Sequence, residues 1–267
     1  MSTEGSGRRV RRIAVALDAS PHSLGGLELA AGIAVALDAE LEGVFVEDTD
    51  LLRTAGLPFL REFRTATLCE SALDAERLQR ELRAAARRVR EHLEHSAAEL
   101  GLAWSFRVWR GDLEAEILGA ARGAELFALG RIGRFAPLRR SRSPAAKSRT
   151  DVLVVGVLFN RSAAAARALS IAGEVGIRHP VSLVVVLQPE APSETAMLRT
   201  KALEQLGPMR DQARIVTLGG ADAARLAALV KDFGIDMLIL DDTNPILTQT
   251  PLWTSLERLG CPVVIGR

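Results

Sequence analysis

The chain has 267 residues, 48% of them hydrophobic and 25% charged, which is enough apolar material for two cores of roughly 120 to 140 residues. Its 34 basic and 33 acidic side chains leave a net charge of +1, and with 4% aromatic residues and no Tyr the composition argues against nucleic acid and membrane surfaces as partners. Two cysteines and a polar first dozen residues provide neither a disulfide framework nor a signal peptide, so the expected location is the cytoplasm.

The first elements of the chain are predicted to be strands and helices in alternation. Residues 1–9 are rich in Gly, Ser and Arg and have no apolar face, so we expect a disordered tail. The unbroken apolar run 13–17 predicts a central parallel strand covered on both faces, and a helix is predicted after the polar turn that Asp18 opens. A second strand is predicted at 41–46, and 51–68 is expected to be irregular.

The segment between Leu78 and Leu100 has the clearest helical periodicity, because its apolar residues recur every three or four positions and Gly101 ends it. Its other face mixes arginine with glutamate. Interleaved acids repel phosphate, so a solvated helix face is favoured over a nucleic-acid ridge. His92 and His95 lie three positions apart on this helix without a third ligand, and we predict no metal site there.

The rest of the chain continues the same alternation. The predicted strands are 105–109, 126–129, 152–158, 181–187, 214–218, 237–240 and 263–265. The predicted helices are 112–121, 162–175, 194–206, 222–233 and one near 253–259. Such alternation indicates parallel sheets joined by right-handed crossovers, with ligand sites beyond the carboxyl ends of the strands. The longest apolar run, 152–159, is far shorter than the ~20 residues that cross a bilayer.

The opening of the chain is repeated in its second part. Four matched pairs share an offset of 142: Asp18 with Asn160, Ser20 with Ser162, Leu27 with Leu169, and Ala30 with Ala172. This offset predicts two tandem α/β domains, 10–149 and 150–267, each a mostly parallel sheet flanked by helices. The segment that joins the two predicted domains has room for only one strand, 152–158, and the offset assigns this strand to the second domain. The first sheet is then one strand short, and because an exposed edge must be covered we expect an internal pseudo-dimer, with a further homodimer left open.

Three segments of the first domain carry a family resemblance. They are the opening Asp18-x-Ser20-x-x-Ser23, the strand end 44–48, and the strand 126–129 that runs into Gly130-Arg131-Ile132-Gly133. Together with the order of elements, they resemble the universal stress protein family over nearly the whole chain, as a tandem pair. The resemblance implies a Rossmann-like, adenine nucleotide alpha-hydrolase-like fold in each domain. It also implies a stress-linked regulatory or protective role and, in some members, bound ATP or AMP.

Nucleotide-binding members of that family carry the motif Gly-x2-Gly-x9-Gly-(Ser/Thr), whose glycines let main-chain N–H groups close around phosphates. Gly130 and Gly133 match its first two positions, but Ser143 and a following proline stand where a glycine and a hydroxyl residue are expected. If a nucleotide binds, the resemblance places Asp18 at the adenosine, the main chain of Val46 at the base, and Gly130 and Gly133, with the 143 position, at the phosphates.

Each of these residues also has a purely structural interpretation. Asp18 is then a turn or cap residue, Val46 is a core residue, and the two glycines form a tight turn. The loop 130–149 carries seven Arg or Lys side chains and no acid. Arginine forks hold phosphate without a glycine nest, so this loop can compensate for the incomplete motif. The alternatives are a flexible interdomain connection kept soluble by charge, or a docking site for an acidic protein partner.

The second domain lacks these features. Asn160 replaces the opening aspartate, and the segment after the strand 237–240 is Asp241-Asp242-Thr243-Asn244-Pro245, without Gly-x2-Gly. Two carboxylates repel phosphate unless a divalent ion intervenes, and a polar turn before a helix is favoured over a magnesium site. The second domain is therefore predicted to be a structural or partner-binding copy without nucleotide.

No enzyme motif is present in the sequence. It contains no Gly-x-Gly-x-x-Gly after a strand, no Gly-x4-Gly-Lys-(Ser/Thr), no Gly-x-Ser-x-Gly and no Cys/His cluster, and its four histidines are not spaced to serve a nucleophile. We therefore predict a protein that acts by binding. The first hypothesis is a weak ATP or AMP sensor in the first domain, the second is a nucleotide-free scaffold for an acidic partner, and a nucleotide hydrolase is a distant third.

Overall fold

The computed structural model describes residues 12–17, 21–55, 57, 61–64, 69–72, 75–111, 125–129, 152–219, 222–248 and 258–266. Within these ranges the chain forms one nine-stranded sheet with helices on both faces, and a separate two-stranded antiparallel hairpin. The expected disordered tail, the helix at 112–121 and the loop 130–149 lie outside the described residues.

The described elements fall into two halves, the first ending with β6 and the second beginning with β7. The first half contains β1 (Arg12–Leu17), α1 (Pro21–Leu37), β2 (Glu40–Asp48), α2 (Thr49–Ala55), β3 (Arg61–Arg64), β4 (Cys69–Ala72), α3 (Ala75–Leu100), β5 (Trp104–Gly111) and β6 (Leu126–Leu129). The second half contains β7 (Leu153–Phe159), α4 (Ala163–Arg178), β8 (Val181–Leu187), α5 (Thr195–Leu206), β9 (Ala213–Thr217), α6 (Ala223–Asp232), β10 (Met237–Asp241), α7 (Pro245–Thr248) and β11 (Val263–Gly266).

The sheet has the strand order β5-β2-β1-β6-β11-β10-β7-β8-β9. Every neighbouring pair is parallel except β6 with β11, which is antiparallel. The predicted α/β class with a mostly parallel sheet is therefore confirmed. The division of the chain at residues 149 and 150 falls outside the described residues and stays a prediction.

The central strands are buried on both faces, which explains their unbroken apolar sequences. All residues of β1 from Ile13 to Leu17 are buried, as are all residues of β6 and β11. Ile13, Val15 and Leu17 pack with α1, α3, α4 and α5 in one core cluster, while Ala14 and Ala16 belong to a second cluster with α6 and α7. Two-layer coverage of this kind is the usual environment of parallel strands.

The two halves meet at the antiparallel pair β6–β11. Leu129 is paired with Val263 and Leu126 with Gly266, and all four residues are buried or lie in a buried strand. β7 is paired with β8 and β10, so it lies in the second half, as the sequence offset indicates. β11 therefore covers the edge of β6, an edge that would otherwise expose unpaired backbone groups. Helices α1 and α4 also contact each other, and the halves share one core cluster.

The expectation of irregular structure at 51–68 is wrong in part. Helix α2 begins at Thr49 and ends at Ala55, and β3 and β4 pair as an antiparallel hairpin. Leu52 is half-buried, Ala55 is buried, and α2 contacts α3. A helix of seven residues is too short for its apolar spacing to be visible in the sequence, so tertiary packing decides it.

Candidate functional site

In parallel sheets, ligands bind beyond the carboxyl ends of the strands. The first strand-end region is the one beyond β1, β2 and β6, and the second strand-end region is the one beyond β7, β8 and β10. Because β6 and β11 run in opposite directions, the two regions lie on opposite sides of the sheet along the strand direction, each beyond the carboxyl ends of its own strands.

Most residues predicted for the first strand-end region fall outside the described residues. These are Asp18, Gly130, Gly133 and Ser143. Val46 is described: it lies near the end of β2, its side chain is 9% exposed, and it packs in a core cluster with Ala16 and Leu129. This burial fits the core interpretation of its side chain and leaves main-chain contact with a base as a prediction.

A buried carboxylate at the end of β2 is a feature that the sequence patterns did not single out. Glu47 is 2% exposed, and Arg110 of β5 donates from Nε to its Oε2 at 2.6 Å. The two residues are directly paired in the β2–β5 register. The arginine compensates the negative charge of Glu47, so this acid adds little net repulsion for phosphate to the first strand-end region.

A second charged cluster lies at the opposite, amino-terminal ends of β1 and β2. Buried Glu42 accepts from Arg107 Nε and lies 3.6 Å from Arg12 Nη1, while Arg12 N donates to Glu125 Oε2 at 3.1 Å. The hydrogen bond to Glu42 raises the pKa of Arg107 above its ordinary value, although burial opposes the shift. These contacts join β1, β2 and β5, and they lie at the strand ends opposite to the first strand-end region.

The strand register gives the sequence offsets between equivalent strands of the two halves. Val155 lies 142 positions after Ile13, and β8 keeps that offset to β2. The offset is different for β6 and β10. Leu126 is paired with Ile13 and Met237 with Val155, so Leu126 and Met237 are equivalent, and they lie 111 positions apart. Counted along the sequence with these two offsets, the four candidate positions of the first half match the second half as follows: Asp18 with Asn160, Val46 with Gln188, Gly130 with Asp241, and Gly133 with Asn244. Of the four first-half residues, the structure describes Val46.

These four residues of the second half are joined in one hydrogen-bond network. The carboxylate of Asp241 is fully buried, and its Oδ2 accepts from Asn160 Nδ2 at 3.2 Å and from Asn244 Nδ2 at 3.4 Å. Its Oδ1 accepts from the backbone N–H of Thr243 at 3.2 Å and from the Thr243 hydroxyl. Asn244, also fully buried, donates to Gln188 Oε1 at 2.9 Å.

Local helix starts hold both ends of this network in place. Asn160 Oδ1 accepts from Ser162 N at 2.8 Å, and Ser162 caps α4 by accepting from Ala165 N at 2.9 Å. Asn244 Oδ1 accepts from Ile246 N at 3.1 Å in the first turn of α7. The segment after β10 is thus a polar turn that leads into a helix, the arrangement favoured by the sequence. Among the described residues, no three His, Cys, Asp or Glu side chains come together as metal ligands.

No protein-family profile matches the chain, and no curated protein matches it by sequence. The crystal structure of a universal stress protein from Archaeoglobus fulgidus matches it with a TM-score of 0.57 and 16% identity over 96% of each chain. A universal stress protein family member from Burkholderia pseudomallei matches 47% of this chain and 83% of its own, with 27% identity and a TM-score of 0.35.

The chain has the universal stress protein fold. The resemblance deduced from the sequence motifs is therefore confirmed at the level of the fold. In the sequence, the offset of 111 matches Gly130 and Gly133 of the first half with Asp241 and Asn244 of the second half, and of these four residues the structure describes Asp241 and Asn244. No helix in the described ranges is both long enough and apolar enough to cross a membrane.

Sequence reasoning missed the network of the second half. Its members are 28 to 84 positions apart along the chain, apart from the turn residues that follow Asp241. The only available signal was the pair of polar residues at positions equivalent to Asp18 and Gly130. That equivalence becomes visible only when the register gives the offset of β10.

Proposed function

We propose that this chain is a non-catalytic regulatory protein of the universal stress type that binds an adenine nucleotide, ATP or AMP, weakly and in its first strand-end region only. The observation that carries the proposal is the asymmetry of the two regions. Gly130 and Gly133 stand in the first half where Asp241 and Asn244 fill the second with their own side chains.

The chemistry of the first strand-end region supports an anionic ligand. Glycine has no Cβ, so main-chain N–H groups at Gly130 and Gly133 are free to approach a phosphate closely. The arginines of the loop 130–149 add charge-assisted donors, and Arg110 compensates the carboxylate of Glu47. Ser143 and the proline after it occupy the last two positions of the glycine motif, where a glycine and a hydroxyl residue are expected, and the proposed affinity is therefore weak.

A thermal shift with ATP and AMP tests the proposal. At a ligand concentration ten times Kd, binding to the native state adds about 1.4 kcal/mol, which raises Tm by roughly 3 to 6 °C for a chain of this size. The variant Gly130→Asp, which installs the second-half residue in the first half, is expected to lose the shift. Gly32→Asp is the matched control: Gly32 is exposed on α1 with nothing within 4 Å of an added Cβ. No shift of the wild-type chain at millimolar nucleotide would refute the proposal.

A second candidate function is a nucleotide-free scaffold that docks an acidic protein partner. The supporting observation is the run of seven cations without an acid in 130–149. Binding to a polyglutamate probe that weakens steeply as salt is raised, together with no nucleotide released from gently purified protein, would favour this function. This function would be excluded if binding of the probe did not depend on salt. It would also be excluded if binding were unchanged after Arg139, Arg140 and Arg142 are changed to Gln.

A further inference from the structure

The carboxylate of Asp241 is held in the way in which proteins hold a bound anion. It is fully buried, and four donors surround it: the side-chain amides of Asn160 and Asn244, and the backbone N–H and hydroxyl of Thr243. Among the described residues, no Lys, Arg or His forms an ion pair with Asp241. A buried charge of this kind is tolerated because its acceptor positions are satisfied by hydrogen bonds.

The network is more than a local turn. A polar turn of the Asx type needs only the contacts from Asp241 to Thr243, two residues on. Here the second oxygen is bound by Asn160, which follows β7, and Asn244 extends the network to Gln188, which follows β8. The residues thus connect the ends of three neighbouring strands, across the region where a sheet of this kind takes its ligand.

We propose that the second strand-end region is an anion site whose anion is built into the chain: the carboxylate of Asp241 takes the place of an external anionic ligand, with Asn160, Thr243 and Asn244 as its receptor. This region is then permanently closed, and the second half does not respond to ligand. The inference goes beyond the proposed function and does not depend on nucleotide binding in the first half. It limits the chain to at most one nucleotide.

Rescue of Asp241→Gly by small carboxylates tests the inference, with the full chain and no nucleotide present. The variant is expected to melt at a lower temperature than the wild type. Formate or acetate at tens of millimolar should then restore at least half of the lost Tm in a saturable manner, whereas chloride at the same ionic strength should not. No difference between formate and chloride would overturn the inference.

Asp222→Gly is the matched control. Asp222 also accepts from backbone N–H groups, at Ala224 N and Arg225 N, but it is an exposed helix cap with a half-exposed side chain. Its removal should lower Tm without rescue by formate, because no enclosed receptor remains. Equal rescue of Asp222→Gly and Asp241→Gly would show a general solvent effect and overturn the inference.

A double-mutant cycle covers the case in which Asp241→Gly does not fold. The variants Asn160→Ala, Asp241→Asn and their combination keep most of the volume of the network. Asn160→Ala removes the hydrogen bond from Ser162 N in either background. If Asn160 also serves as a receptor for the charge, the loss of Tm caused by Asn160→Ala should be smaller in the Asp241→Asn background than in the wild type. Additive losses would overturn the inference.

Discussion

The pairing of β6 with β11 makes a quantitative prediction for the substitution Ile265→Ala. Ile265 lies in β11, is 2% exposed, and is paired with Phe127 of β6. The substitution removes three buried carbon groups at about 0.8 kcal/mol each and leaves a cavity, so the expected loss in the free energy of unfolding is about 3 to 4 kcal/mol. Ile177→Ala is the matched control, because Ile177 is 61% exposed and should change the free energy by less than about 0.5 kcal/mol.

Urea unfolding with two probes measures whether the loss is shared by both halves. In a Trp253→Phe background the remaining tryptophans, Trp104 and Trp109, lie on β5 at the far edge of the first half. Far-UV circular dichroism reports on all helices. If β11 joins the halves into one cooperative sheet, Ile265→Ala lowers both midpoints together. A tryptophan midpoint that stays at its wild-type value, or a loss no larger than that of Ile177→Ala, would refute the reasoning.

Two further substitutions test packing and charge. Gly156→Ala should lower the free energy of unfolding by about 1 to 3 kcal/mol, because the added Cβ would lie 2.9 Å from atoms of Ile235. Gly32→Ala, with free space around the added Cβ, should raise it by roughly 0.5 to 1 kcal/mol. Equal effects of the two substitutions in urea unfolding would contradict the described packing. Arg107→Gln should cost about 1 kcal/mol, since Arg107 is half exposed. Because Glu42 raises the pKa of Arg107, the stability that Arg107 contributes is complete below the ordinary arginine pKa and is lost only above it. The loss in the free energy of unfolding caused by Arg107→Gln should therefore be equal at pH 7 and pH 10. A loss that becomes smaller over this interval would contradict the assignment.

Much of the fold follows from local sequence patterns. The run 13–17 is apolar because β1 is covered on both faces, and the spacing from Leu78 to Leu100 marks the buried stripe of α3. The offset of 142 assigns the strand at 152–158 to the second half, and the observed pairing of β7 agrees. Such patterns are local, so a single sequence is sufficient to detect them.

The features that the sequence did not reveal depend on contacts between distant residues. The antiparallel pairing of β11 with β6 joins residues more than 130 positions apart, and no local periodicity encodes a partner. The ion pair of Glu47 with Arg110 depends on the register between β2 and β5. The network around Asp241 could not be recognised because the chain is longer between β2 and β6 than between β8 and β10. This difference changes the offset between the halves from 142 to 111.

Counting bound nucleotide per chain tests the central claim most directly, namely that the first strand-end region is open to an anion and the second is filled by its own side chains. Native mass spectrometry of the full chain with excess ATP is the measurement. One ATP per chain in the wild type, and none in Gly130→Asp, is the predicted result. Two ATP per chain, or one ATP that persists in Gly130→Asp and is lost in Asn160→Ala, would contradict the account.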